Sequence, residues 1–117
     1  MSIQMKAVMM IADAPSLKEN LGAVIDTVEE TIHWDELDYH SLSGGQQTAI
    51  SWAYLIWTDR QASTELKFRD PFEGFGSLSR ELQQVILTAY AFRHNTFAPS
   101  GKMEQFVRDS IQKLGKK

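Results

Sequence analysis

Apolar positions along the chain fall into three stripes of helical spacing, one stretch that is apolar almost throughout, and one short run of undecided period. The clearest stripe lies in 16–32, where Leu17, Leu21, Val24, Ile25, Val28 and Ile32 stand at offsets of 0, 4, 7, 8, 11 and 15. That spacing predicts an amphipathic helix, started by Pro15 in its first turn or by Ser16, which has capping-box spacing to Glu19. Gly22 costs such a helix ~1 kcal/mol. From 49 to 57 every residue except Ser51 is apolar. A helix over about 43–58 would therefore have no polar face and should run through the middle of the core. Its start is marked by Ser43 as cap and Gln46 reaching back. Trp52, Tyr54 and Trp57 bring indole and hydroxyl groups that need hydrogen-bond partners if buried.

A third helix is predicted over 77–95, with Leu78, Leu82, Val85, Ile86, Ala89 and Tyr90 on one face and Ser77 or Ser79 as cap. Pro99 prevents its continuation. A last helix is predicted after Ser100, carrying Met103, Phe106, Val107, Ile111 and Leu114, with Lys113, Lys116 and Lys117 complementing its negative end. The segment 3–12 is apolar but too short for its period to separate strand from helix. Residues 33–40 read as a short helical turn or an irregular connection. Residues 59–76 contain Pro71, Gly74, Gly76 and three phenylalanines without periodicity, and 64–69 has the length of a short strand. A loop of this length is either a binding loop or a plug for the core. The chain is thus expected to be mainly α, a single domain over 1–117 with about four main helices around a central apolar helix at about 43–58 and a short amino-terminal segment of uncertain type.

Composition narrows the chemistry. The chain has 117 residues and is 43% apolar, enough for one core without a staple. It has no cysteine, which excludes disulfides, thiolate metal sites and cysteine nucleophiles. The first fifteen residues lack the pattern of a signal peptide, and the longest apolar stretch is about half what a membrane-spanning helix needs. A soluble, cytoplasmic protein without membrane contact is the expectation.

The net charge is only −3, but its distribution is uneven. Residues 13–38 carry eight acids against Lys18 alone, a local charge of −7, and residues 60–117 carry ten bases against six acids, a local charge of +4. Either the two regions form solvated faces that partly neutralise each other, or the acids form a face that meets a basic partner. The two regions can also meet between copies, so a homodimer is a further alternative. Basic residues in the second half are too sparse, and a pI of about 5.5 is too low, for a dedicated nucleic-acid-binding protein.

Leu42, Ser43, Gly44, Gly45 and Gln46 resemble the signature loop of ABC-type ATPases, which opens a helix and touches a nucleotide phosphate. The chain has no GxxxxGK[ST] loop, no apolar strand ending in paired acids, and too few residues for that domain. What remains is a helix start whose free amides suit an anion: Ser43, Gly44, Gly45 and Gln46, with Arg69 as a candidate counter-charge. Glu30 and His33 have the ExxH spacing of di-metal bundles and Glu36 and His40 lie one turn apart, but no second ExxH exists, so neither a metal nor another cofactor is expected. No GxSxG elbow or oriented nucleophile is present, and no catalytic residue is assigned.

By elimination, the expected function is a small helical protein–protein interaction module, of the kind common among accessory and inhibitor proteins of phages and mobile elements. Its contact residues would be the acids Glu29, Glu30, Asp35, Glu36 and Asp38, the aromatics Trp34 and Tyr39, and Phe68, Arg69, Phe72 and Phe75 of the loop. The alternatives are a small-molecule or anion-binding protein with modest enzymatic activity and a nucleic-acid-binding accessory protein.

Overall fold

A computed structural model of the chain describes residues 1–59 and 68–94. The predicted last helix and residues 64–67 of the predicted short strand lie outside the described residues. The described part is mainly helical, with α1 at Ile3–Ala12, α2 at Gly44–Thr58 and α3 at Arg80–His94. The amino-terminal segment of undecided period is therefore a helix. The Ser2 hydroxyl accepts the Met5 amide at 3.1 Å and caps it. Met5, Val8 and Ile11 follow at a spacing of three and are buried together with Ala7 and Ala12. Pro15 disfavours a helical residue before it, and the turn is closed by the Asp13 amide on the Met9 carbonyl at 3.0 Å.

The second helix follows the prediction closely. The Ser43 hydroxyl accepts the Gln46 amide at 3.2 Å, and the Gln46 side chain returns the bond to the Ser43 amide at 3.0 Å. Asp59 closes the other end in a left-handed conformation, φ 58°. Its buried residues run from Thr48 to Ala53 and on to Leu55 and Ile56. The third helix is capped by Ser79, whose hydroxyl accepts the Leu82 amide at 3.2 Å.

The expected arrangement of about four helices around α2 needs correction. Among the described residues there are three α-helices, and each packs on the other two. Helix α1 is buried along its length and touches both partners, while α2 leaves Tyr54, Trp57 and Thr58 partly exposed, so neither is an axis for the others.

The helix predicted over 16–32 does not form. The chain makes tight turns from Pro15 to Leu21, a single 3₁₀ turn at Gly22–Val24, and an antiparallel pair of two-residue strands, β1 at Ile25–Asp26 and β2 at Thr31–Ile32. Three local effects oppose the helix. Six of the nine residues 24–32 are β-branched, which restricts their rotamers against a helical turn. The Asp26 carboxylate accepts the amides of both Val28 and Glu29 at 3.0 Å, giving the backbone a competing set of bonds. Glu30 takes a left-handed φ of 53°, which reverses the chain; its carboxylate accepts the Ser2 amide at 2.6 Å, tying the turn to the start of α1. The stripe still marks core residues: Leu17, Leu21, Val24 and Ile32 are buried, whereas Val28 at the turn is 88% exposed.

Candidate functional site

Residues 68–78 form a loop that straddles α2. Trp52 and Tyr54 are two positions apart on that helix and so project roughly opposite ways. On one side Phe68 stacks on Tyr39, centroids 4.4 Å apart and 17° from parallel, and meets Tyr54 edge-on at 5.7 Å; Trp34 completes this group at 5.1 Å from Tyr54. On the other side Phe72, Phe75 and Tyr90 surround Trp52 at 5.0, 5.6 and 5.7 Å.

Short bonds hold the loop in shape. The Asp70 carboxylate accepts the Phe72 amide at 2.9 Å, and the Gln83 side chain donates to the Phe75 carbonyl at 2.9 Å. Pro71 is buried, and Gly74 takes φ 84° where a side chain would also crowd the Thr48 hydroxyl. Of the two roles open to this segment, the plug is filled by Phe68 and Phe75, which are half-buried against the core. Phe72 remains 60% exposed over Trp52. The indole nitrogens of Trp34 and Trp52 are buried without an acceptor among the described residues, contrary to the expectation for buried rings.

Tyr39, selected as a contact residue, lies inside at 5% exposure. Its hydroxyl is 3.2 Å from the Gln47 carbonyl and 3.0 Å from the Ser51 hydroxyl, and it accepts the Arg69 amide at 3.0 Å. One side chain thus joins three pieces of chain: the acidic segment, α2 and the aromatic loop. The Gln47 side chain adds bonds to the carbonyls of Tyr39 at 3.1 Å and Leu42 at 3.2 Å.

Arg69 also reaches the start of α2, where its guanidinium donates to the Gly44 carbonyl at 3.4 Å. The structure thereby places the one candidate counter-charge at the Ser43, Gly44, Gly45 and Gln46 helix start. Gln46 is further committed to the Ser16 carbonyl at 2.7 Å.

The acids occupy the opposite role, on the surface. Glu29 is exposed at the β1–β2 turn, and Asp35 and Glu36 are exposed on the 3₁₀ turn Trp34–Glu36. Asp38 is exposed just beyond it. Glu30 stands apart because the Ser2 amide bonded to its carboxylate holds it below the usual carboxylate range. Glu36 and Asp38 share a groove of about 190 Å³ with Glu19, over a floor that includes Val24, Leu37 and Leu42. The sequence offers Glu19 as a capping residue and not as a contact residue, since a helix over 16–32 gives no reason to bring it near residue 36. Among the described residues the ion pair formed is His94 with Asp59 at 3.3 Å, and no acid of 13–38 forms an ion pair with a side chain there; Glu30 also feels the charge of the amino terminus.

Among the described residues no three histidine or carboxylate groups converge, and the Glu30–His33 and Glu36–His40 spacings do not fall on α-helices. No helix among these residues is long and apolar enough to cross a membrane. Comparison with protein-family models, with curated proteins and with solved structures finds no match to this chain.

Proposed function

We propose that the protein is a small helical interaction module that binds a partner protein through the acidic surface of residues 19–38, with exposed Phe72 on the aromatic loop as a second contact. The observation that carries this reading is the groove lined by exposed Glu19, Glu36 and Asp38 together with Val24, Leu37 and Leu42, in which these acids have no ion-pair partner among the described residues. Unpaired like charges on a surface repel one another, and a basic partner relieves that repulsion while the apolar floor supplies buried area. The test is a pull-down from the native lysate at low and moderate salt, comparing the wild type with a variant carrying Asp35→Lys, Glu36→Lys and Asp38→Lys. These side chains are exposed, so the variant is expected to fold, as circular dichroism would confirm. A stoichiometric protein partner should be retained by the wild type and lost by the variant. Equal recovery by both removes the acidic surface from the reading.

A second reading is favoured by the position of Arg69 at the start of α2. The Gln46 amide is taken by the Ser43 hydroxyl, which leaves the Gly44 and Gly45 amides as the first donors of α2 without an intrahelical partner; such amides attract anions, and a guanidinium beside them strengthens that attraction. Thermal-shift measurements with inorganic phosphate and with ADP test it. A ligand at one hundred times its dissociation constant adds about 2.7 kcal/mol of stability, and Arg69→Gln should abolish the shift. No shift with either anion ends this reading.

A further inference from the structure

A second hollow lies beside the acidic groove. It encloses about 310 Å³ between the end of α1 and the turn that leads into β1, and its walls are mostly apolar: Met9, Ala12, Gly22, Ala23 and Ile25. Asp13 and Lys18 stand at its margin with opposite charges. Exposed Ala23 lines both hollows, so the apolar one and the acidic one adjoin at that residue. We infer that together they form one docking groove for a segment of a partner protein that carries a bulky apolar side chain close in sequence to an arginine or lysine. This rests on the acidic-surface reading above and specifies its partner.

The chemistry of each half selects its occupant. The apolar hollow is open to solvent, and its volume of about 310 Å³ leaves room for a leucine or phenylalanine side chain to enter from a partner. In the other half the three carboxylates ring the groove but do not converge as metal ligands would. They therefore suit a cation on a long flexible stem. A lysine or arginine lays its methylenes along apolar surface while its head stays near water, and Val24, Leu37 and Leu42 under an acidic rim provide for both ends. Nucleic acid and anionic membrane are repelled by the same rim. In an extended segment, side chains two residues apart face the same way, which is the simplest means of filling adjoining hollows.

Gly22 supplies the means of testing the apolar half alone. A Cβ built there meets no heavy atom within 4 Å and the residue is not in a left-handed conformation, so a side chain at this lining position starts in open space: Gly22→Leu is the variant expected to occupy the hollow, and Gly22→Ala the control expected to leave it open. The probe is a blocked heptapeptide of glycine and serine with leucine and arginine two residues apart, titrated into the ¹⁵N-labelled full chain. The expected result is saturable shifts at the amides of Gly22, Ala23 and Ile25 and also of Leu37 and Leu42. Peptides lacking either the leucine or the arginine should bind about tenfold more weakly, a loss of one power of ten in Kd. Gly22→Leu should weaken the leucine–arginine peptide by a similar factor and leave the response to the arginine-only peptide unchanged. If Gly22→Leu has no effect, or the shifts are confined to Leu37 and Leu42, the joint groove is wrong. In that case loss of the lysate partner by the Asp35, Glu36, Asp38 variant still upholds the acidic surface. Absence of any shift, together with a partner indifferent to that variant, overturns both.

Discussion

Ile50→Ala is expected to lower the unfolding free energy by about 2–5 kcal/mol, while Val28→Ala should change it by no more than about 0.5 kcal/mol. Both figures are read from urea denaturation midpoints at constant m-value. Ile50 has no exposed surface and lies on α2 between Ala49 and Ala53, where that helix packs on α1 and α3. Removing three carbons there forfeits their transfer from water and leaves a void that flanking alanines are too short to fill. A domain of this size has only about 5–15 kcal/mol in hand, so the loss is a large part of the whole. Val28 is the informative control. A helix over 16–32 would put it in the buried stripe with Val24 and Ile32, and truncation would then be costly. On the turn between β1 and β2 its side chain is already in water. A loss of more than about 1 kcal/mol for Val28→Ala would restore the helix and discard the hairpin.

The contrast between those positions shows what periodicity reports. The stripe of 16–32 identified Leu17, Leu21, Val24 and Ile32 as core residues, and all four are buried. Burial of alternate turns of chain is compatible with more than one backbone, however, and the choice was made by short-range chemistry: the Asp26 carboxylate on two amides and the left-handed Glu30. For α2 and α3 local and global preferences agree, since the apolar pattern, Ser43 with Gln46, and Ser79 all specify the same boundaries. Segment 3–12 is undecidable from sequence because a run of ten residues, apolar except for Gln4 and Lys6, acquires a period only when two partners, α2 and α3, define which sides are inside.

The candidate site divides in the same way. Charge clustering over 13–38 was visible as composition, but the meeting of Glu19 with Glu36 and Asp38 depends on the turn that replaced the helix. The pairing of Arg69 with Gly44 likewise joins residues twenty-five positions apart through a loop without periodicity. Tyr39 was legible as an aromatic near a loop and illegible as a buried junction. Its burial follows from Phe68 stacking over it, a contact across twenty-nine residues of sequence.

Tyr39→Phe is expected to cost about 1–3 kcal/mol, and its effect should be confined to one end of the aromatic loop. The substitution keeps the ring that stacks on Phe68 and removes only the hydroxyl. Of the groups that face that oxygen, the Ser51 hydroxyl retains the Gln47 carbonyl at 3.1 Å, and the Gln47 side chain still holds the carbonyls of Tyr39 and Leu42. The acidic segment therefore stays fastened to α2. The Arg69 amide is the group left without its acceptor, in a partly buried position where water replaces the bond poorly. Hydrogen exchange should accordingly accelerate at Arg69, with the amides of Phe75 and Leu78, which bond within their own turn, little changed. Because Arg69 carries the guanidinium at the start of α2, loosening it should also weaken any anion bound there without altering capture of a partner by Glu36 and Asp38. Unchanged stability and unchanged exchange at Arg69 would show that the hydroxyl is not the tie between loop and helix; faster exchange across residues 33–42 as well would show that it ties the acidic segment too.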